Sequence, residues 1–291
     1  MWVLLSFALG VLLVWILFIA GMRLDIALLA GIVYYMYMPR RNRWIRDARL
    51  WTWFRETHLT VSYTGKTEIL RDKEQARCFA AHPHGAHCVG AIAMASDARL
   101  EHIRVACTSV LFWLPVLKEF VSWGNAIPVV NEQMVATLKS GDSIMVYPGA
   151  FNELPGATFM RDACAQDPDN PAHAGWDAKD PAQERHFTYS KRKGFIRVAK
   201  EAGVPLVPVW VEGEYDLYKV YHPWPRLQRK VYAWTKYPGP FYSCGWWGSF
   251  WPRSHPLKVY IGKEIETDKD DVDTLHALFY KELQRLKDKC K

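Results

Sequence analysis

The sequence predicts an α/β fold, in which a mixed, mainly parallel sheet is covered by helices and preceded by an N-terminal membrane hairpin. Short, continuously apolar runs such as Ser143–Tyr147 and Val204–Val211 suit strands that are buried on both faces. Helical segments alternate with these runs, as they do in sheets of parallel strands. Residues 1–20 carry no charged side chain, and such a run can cross about 30 Å of hydrocarbon.

The predicted hairpin occupies residues 1–38. A charged interruption at 21–25 separates the first apolar run from a second, Ile26–Met38, whose 13 residues are short for a full span. The sequence leaves open a hairpin that dips into the bilayer and one span followed by an interfacial piece. A secretory signal peptide is disfavoured because no basic residue precedes Trp2. Five arginines follow the hairpin and favour a cytosolic position for the chain beyond it: Arg40, Arg41, Arg43, Arg46 and Arg49.

Residues 39–75 form a basic, Trp-rich segment. Trp44, Ala48, Trp51 and Arg55 recur at helical spacing. This pattern fits an amphipathic helix lying at the membrane surface. It fits equally a helix that packs its tryptophan face on the following domain, predicted to span 76–291.

The composition favours a membrane-associated protein of a reducing compartment. Fourteen tryptophans suit the membrane interface, and a net charge of +7 suits anionic lipid or a phosphorylated ligand. The six cysteines show no C-x-x-C pair, so neither a disulfide scaffold nor a zinc ribbon is expected. Nucleic acid is not an expected partner, and the sequence leaves the oligomeric state open, a homo-oligomer included.

The elements of the 76–291 domain follow from apolar runs and their breakers. Five strands are predicted: Arg77–Ala81, Arg104–Ala106, Ala126–Val130, Ser143–Tyr147 and Val204–Val211. Five helices are predicted: Val89–Ala95, Leu111–Trp123, Glu132–Lys139, Gly194–Ala202 and Asp270–Lys289. Residues 156–185, rich in Asp, Pro and Gly, read as an inserted surface loop, and the aromatic stretch 237–255 suits a bilayer interface or a cover over the core.

Three histidines, His82, His84 and His87, lie within six residues directly after the apolar run Cys78–Ala81. A proline and a glycine between them predict a turn at the end of a buried strand. The carboxyl end of a strand is where an α/β sheet presents its reacting groups. Because imidazole exchanges a proton near neutral pH, this turn is the predicted catalytic centre.

Five short motifs in one order resemble those of the diacylglycerol, monoacylglycerol and wax-ester acyltransferases. They correspond to that family's H-P-H-G, P-G-G-x-x-E, R-K-G-F, L-V-P…G-E and V-V-G-x-P-I. Here they are His82-Pro83-His84-Gly85, Tyr147–Leu154, Arg192-Lys193-Gly194-Phe195, Leu206–Glu214 and Val259–Ile265. The second block has Ala150 in place of the second glycine, and the last has Glu264 where proline is usual.

The resemblance implies a glycerolipid-acyltransferase-like fold and an O-acyl transfer with acyl-CoA as co-substrate and no permanently bound cofactor. It implies diacylglycerol as the acceptor, with monoacylglycerol or a long-chain wax alcohol as alternatives. It also implies an endoplasmic reticulum membrane location, contact with membrane lipid and a catalytic domain facing the cytosol.

Within the resemblance, His84 is the expected general base and His82 its companion in the motif, since relatives vary the first histidine and keep the second. The wider glycerolipid acyltransferases use H-x4-D, in which an aspartate orients the histidine. Because His87 and Val89 stand at the corresponding positions here, Glu153 is the expected orienting carboxylate. An acid that stabilises a helix N-terminus is the structural alternative for Glu153.

Two further groups complete the expected site. The turn Pro148-Gly149-Ala150 is expected to aim backbone N–H groups at the oxyanion, although alanine at 150 restricts positive φ. Lys191-Arg192-Lys193, placed before the helix that starts at Gly194, is expected to bind the phosphates of coenzyme A. A solvated run of charge is the alternative for these three cations.

Other classes fit less well. A zinc-site membrane hydrolase would use His82, His84, His87 and Cys88, but H-E-x-x-H is absent from the sequence, so no metal is expected. A serine hydrolase lacks its G-x-S-x-G motif. A non-catalytic membrane-shaping protein would need only the hairpin and the tryptophans.

Overall fold

A mixed sheet lies at the centre of the computed structural model, which describes residues 26, 29, 33, 49–114, 117–154, 192–235 and 241–290. Within these ranges, nine strands are present: β1 (Ser62–Gly65), β2 (Cys78–His82), β3 (Ile103–Cys107), β4 (Ile127–Pro128), β5 (Ser143–Val146), β6 (Leu206–Glu212), β7 (Lys219–Tyr221), β8 (Tyr242–Cys244) and β9 (Lys258–Ile261). Seven of them form the sheet β1-β9-β6-β2-β5-β3-β4, and only β6 and β9 pair antiparallel. The predicted mainly parallel sheet is confirmed.

Eight α-helices accompany these strands in the described ranges. They are α1 (Arg49–Trp53), α2 (Glu68–Arg71), α3 (Val89–Ala95), α4 (Leu117–Trp123), α5 (Asn131–Lys139), α6 (Gly194–Ala202), α7 (Pro225–Thr235) and α8 (Val272–Asp288). Alternate residues of the central strands face opposite sides, so Phe79 and Ala81 join one apolar core while Cys78 and Ala80 join the other. Helices therefore cover both faces, as the buried strands require.

The helix predicted at Leu111–Trp123 is helical in two parts among the described residues. A 3₁₀ turn occupies Ser109–Phe112, and α4 covers Leu117–Trp123. The sheet also begins before residue 76, since β1 pairs with β9, in contrast to the predicted domain boundary.

Glu264, which stands where the resembled family has proline, contacts a buried arginine. Arg77 is 3% exposed, and its guanidinium forms ion pairs with Glu264 and with Asp72, the latter at 2.8 Å. A buried guanidinium needs such partners to offset its lost hydration. The carboxylate of Glu264 therefore stabilises the buried charge of Arg77 in this chain.

The predicted membrane hairpin lies outside the described residues, apart from Ile26, Leu29 and Val33, which are helical and exposed. No helix in the described part of the chain has the length and apolar character that a membrane span needs. The loop predicted at 156–185 also lies outside the described residues.

The aromatic segments divide between core cover and exposed surface. Phe54, in the turn that continues α1, is buried and packs against Trp251 with ring centroids 5.1 Å apart. Trp247 is 89% exposed and Phe250 is 50% exposed. These segments therefore contain side chains that cover the core and others that are exposed, and their position at a membrane surface stays a prediction.

Candidate active site

The carboxyl ends of three neighbouring strands bring the candidate residues together. Strand β2 ends at His82, with β5 on one side and β6 on the other, all parallel. Glu153 follows β5 in the 3₁₀ turn Ala150–Glu153, and Glu214 follows β6. Because parallel strands end at one edge of the sheet, these groups meet there.

We call residues 82–88 the histidine turn. Glu153, which is fully buried, lies against its first half and makes two hydrogen bonds to it. Its Oε1 lies 2.6 Å from the Nδ1 atom of His82, and its Oε2 accepts the backbone N–H of His84 at 2.8 Å. The carboxylate also occupies the space that a Cβ on Gly149 would need, at 2.0 Å from its Cδ atom. Glycine at 149 therefore permits this close approach.

The three histidines differ in exposure and in partners. His82 is fully buried and contacts the rings of Phe279 and Tyr280 on α8, with both centroids 5.9 Å away. His84 is half-buried, and His87 places its Nε2 atom 2.6 Å from the Ser243 hydroxyl. His84 is thus the histidine of the H-P-H-G motif that retains access to a ligand.

The His84 ring is oriented by the chain itself. Its Nδ1 atom lies 2.9 Å from the carbonyl oxygen of Gly85, and a carbonyl can only accept. Nδ1 therefore carries the proton, and the lone pair resides on Nε2. Burial lowers the pKa of His84 below its usual value, and the positive charge of Arg192 acts in the same direction. The ring is consequently neutral, and its Nε2 basic, near pH 7.

This geometry changes how Glu153 relates to His84. The sequence predicts that the carboxylate binds the second nitrogen of the His84 ring. In the structure the carboxylate contacts the His82 ring and the His84 backbone, and the Gly85 carbonyl takes the His84 ring nitrogen. One residue, Pro83, separates His82 from His84 along the chain, and the carboxylate binds the ring of the first and the backbone of the second.

The turn expected to form the oxyanion hole adopts the strained conformation that glycine would favour. Ala150 has φ +45°, so the chain keeps the left-handed geometry despite the side chain. Its N–H donates to the carbonyl oxygen of Tyr147 at 3.2 Å, which engages that donor within the turn. Pro148 has no N–H, which leaves Gly149 as the remaining expected backbone donor of this turn.

Two of the three predicted cations lie in the described residues. Arg192 is exposed, and its guanidinium is 3.4 Å from the carbonyl oxygen of Pro148. Lys193, directly before α6, pairs with Asp273 on α8. Gly194 opens α6, and Lys191 lies outside the described residues. Surface ion pairs contribute roughly 0–1 kcal/mol, so the contact with Asp273, itself 76% exposed, can yield to a phosphate.

Cys88 and Glu214 also reach this site. Cys88 precedes α3 with φ +49°, and burial raises the pKa of its thiol well above the usual value, so the reactive thiolate is not formed at neutral pH. Glu214 is 2% exposed and binds the backbone of α3. Glu214 has no predicted role, although a glycine–glutamate pair directly after a buried strand is a signal for such a group.

The three histidines of the turn point to separate partners. In the described part of the chain, no group of three His, Cys, Asp or Glu side chains is arranged to hold a metal ion. The site is instead a neutral, half-buried imidazole beside a buried histidine–carboxylate pair, with cations nearby.

Comparison with known proteins identifies the family of this chain. The family model described as diacylglycerol acyltransferase matches residues 15–159 and 176–291, and residues 160–175 fall between the two matches. Diacylglycerol O-acyltransferase 2 of Xenopus tropicalis is 28% identical over 283 residues, covering 87% of this chain and 70% of that protein. Human 2-acylglycerol O-acyltransferase 3 is 24% identical over 284 residues, covering 85% and 73%.

A solved structure is also similar. The 1-acyl-sn-glycerophosphate acyltransferase PlsC from Thermotoga maritima gives a TM-score of 0.48 at 12% identity, covering 90% of this chain and 88% of that one. The family model accounts for most of the sequence, and its matches include all five motifs. The chain therefore belongs to the diacylglycerol acyltransferase family.

Proposed function

We propose that this acyltransferase transfers a fatty acyl group from acyl-CoA to the hydroxyl of diacylglycerol, releasing triacylglycerol and free coenzyme A. The observation that carries the proposal is the neutral, half-buried His84 at the strand ends, with a cation beside it. Acyl-CoA is a co-substrate in this scheme, and no permanently bound cofactor takes part.

In the proposed reaction, Nε2 of His84 accepts the proton of the acceptor hydroxyl as its oxygen attacks the thioester carbonyl carbon. A new C–O bond forms, and the negative charge on the carbonyl oxygen is stabilised by backbone donors near Gly149. The C–S bond then breaks, and the proton passes from His84 to the departing thiolate. Glu153 and His82 hold the turn during both steps.

The coenzyme is proposed to place its phosphates at Arg192 and Lys193. We expect the double variant Arg192→Gln/Lys193→Gln to raise KM for acyl-CoA about tenfold or more while kcat changes little. Phosphate binding is similar in the ground and transition states, so its loss appears in KM. Initial rates at varied acyl-CoA measure this, with Arg197→Gln, exposed on the same helix, as the matched control. An unchanged KM would show that these cations are solvated surface charges that do not bind the coenzyme.

A membrane location is proposed for the whole chain, in the endoplasmic reticulum with the catalytic domain facing the cytosol. It is supported by the apolar sequence at 1–38, the arginines after it and the exposed rings of Trp247 and Phe250. We expect protease added to intact microsomes to digest the catalytic domain, because it faces outward. Protection of that domain until detergent is added would overturn the topology.

The acceptor is tested by its product. Microsomes containing the chain are supplied with one labelled acyl-CoA and with diacylglycerol, monoacylglycerol or a long-chain alcohol. Labelled triacylglycerol from diacylglycerol should form faster than the products of the other two acceptors. Preference for monoacylglycerol is the main rival, since a similar human protein is named a 2-acylglycerol O-acyltransferase. Labelled free fatty acid as the sole product would favour a hydrolase instead.

A further inference from the structure

Glu214 is a buried carboxylate that the proposed chemistry leaves without a role. Its Oε1 accepts the N–H of Val89 at 2.5 Å, and its Oε2 accepts the N–H of Gly90 at 2.9 Å. These two residues open α3, directly after the histidine turn. The carboxylate therefore joins the end of β6 to the second half of the turn.

The glycines around Glu214 allow this contact. A Cβ added to Gly85, which has φ +60°, would lie 2.6 Å from Cγ of Glu214. A Cβ on Gly213, with φ +93°, would lie 2.3 Å from the carbonyl oxygen of Pro256. Glycine is thus needed within the histidine turn and directly before the carboxylate.

Glu153 and Glu214 bind opposite ends of the segment from His82 to Gly90. Glu153 binds the His82 ring and the His84 N–H, and Glu214 binds the two N–H groups that follow Cys88. His84 lies between these anchors. A shift at either end moves its Nε2 atom, and a displacement of about 1 Å can lower an enzymatic rate by about 10²-fold.

We propose that Glu214 is a positioning residue for the acyl transfer, in which its carboxylate holds the second half of the histidine turn so that His84 faces the reacting groups. This inference rests on the proposed function. It assigns Glu214 no contact with either substrate.

The ionised carboxylate can accept both N–H bonds, whereas a protonated carboxyl has only one full acceptor oxygen. Burial raises the pKa of Glu214 to about 7, with the two N–H bonds acting in the opposite direction. The titratable groups that face it are neutral, because burial raises the pKa of each: Cys88, Tyr147 and Tyr218. As the pH falls through about 7, Glu214 gains a proton and the rate should fall. Protonation of His84 follows at lower pH, since its pKa is lowered.

The test is the pH profile of kcat for triacylglycerol formation from pH 5.5 to 8.5, in wild type and in Glu214→Gln. The amide accepts at one N–H and opposes the other with its own donors. We expect kcat of Glu214→Gln to be roughly 10- to 100-fold below that of wild type at pH 8. The fall of kcat near pH 7, expected in wild type, should be absent from the variant. Glu212→Gln, at the end of the same strand and paired with Lys258 at the surface, is the matched control and should retain the wild-type profile.

The outcomes separate the two claims. If wild type forms no acyl ester, the proposed function fails. If wild type is active and Glu214→Gln keeps its rate and its profile, the inference fails alone. If Glu214→Gln does not fold, the test is instead amide hydrogen exchange of residues 85–92 in the wild-type protein. Corrected for intrinsic pH dependence, its protection should drop below pH 7, and constant protection would overturn the inference.

Discussion

His84→Ala is expected to abolish acyl transfer while acyl-CoA still binds. The variant removes the half-buried imidazole whose Nε2 is proposed to accept the hydroxyl proton. A positioned general base contributes about 10²–10⁴-fold, so kcat should fall by at least that factor. Arg192 and Lys193 remain in this variant, so the dissociation constant of acyl-CoA should change little.

This expectation is checked with purified protein in lipid, by initial rates and by equilibrium binding of a non-hydrolysable acyl-CoA analogue. His255→Ala is the control, because His255 is partly exposed and lies outside the turn. A wild-type rate in His84→Ala, with a loss in His82→Ala, would transfer the role of base to His82.

Glu153→Gln is the second variant with a large expected effect. The carboxylate accepts from two groups at once, and its oxygens are fully buried. In the amide, one oxygen can still accept from the His84 N–H, but the NH₂ group must then face Nδ1 of His82. His82 has to change tautomer or lose the contact. We expect stability to fall by about 1–3 kcal/mol and kcat to fall by about 10²-fold.

The double variant with His84→Ala distinguishes this role from a separate one. If Glu153 acts by positioning His84, the double variant should be scarcely slower than His84→Ala, because residues that act together are non-additive. Denaturant unfolding and initial rates give the two quantities, with Glu132→Gln, exposed on α5, as the control. Additive losses would show that Glu153 serves another step.

Local sequence predicted the parts of the fold that depend on continuous patterns. Val89–Ala95 and Gly194–Ala202 are helices within the predicted bounds, and β6 lies close to the predicted strand. The short ribbon of β7 and β8 and the edge pair of β1 and β9 were not predicted. Strands of three or four residues depend on their partners more than on their own pattern, so a local reading misses them.

The candidate site was predictable in its membership but not in its contacts. Histidines follow one predicted strand, and a carboxylate follows another. This pattern indicates that His82, His84 and Glu153 meet. Which ring the carboxylate binds depends on the path of the histidine turn, and no spacing rule specifies that. Glu214 required the neighbouring position of β6, which becomes visible only once the strand order is known.

The most direct test of the central claim follows both products of the transfer in one assay. Wild type with labelled acyl-CoA and diacylglycerol should release one thiol for each labelled triacylglycerol formed. Both should depend on added acceptor, and both should vanish in His84→Ala. Thiol release that continues without acceptor or without ester formation, or equal ester formation by His84→Ala, would contradict the account.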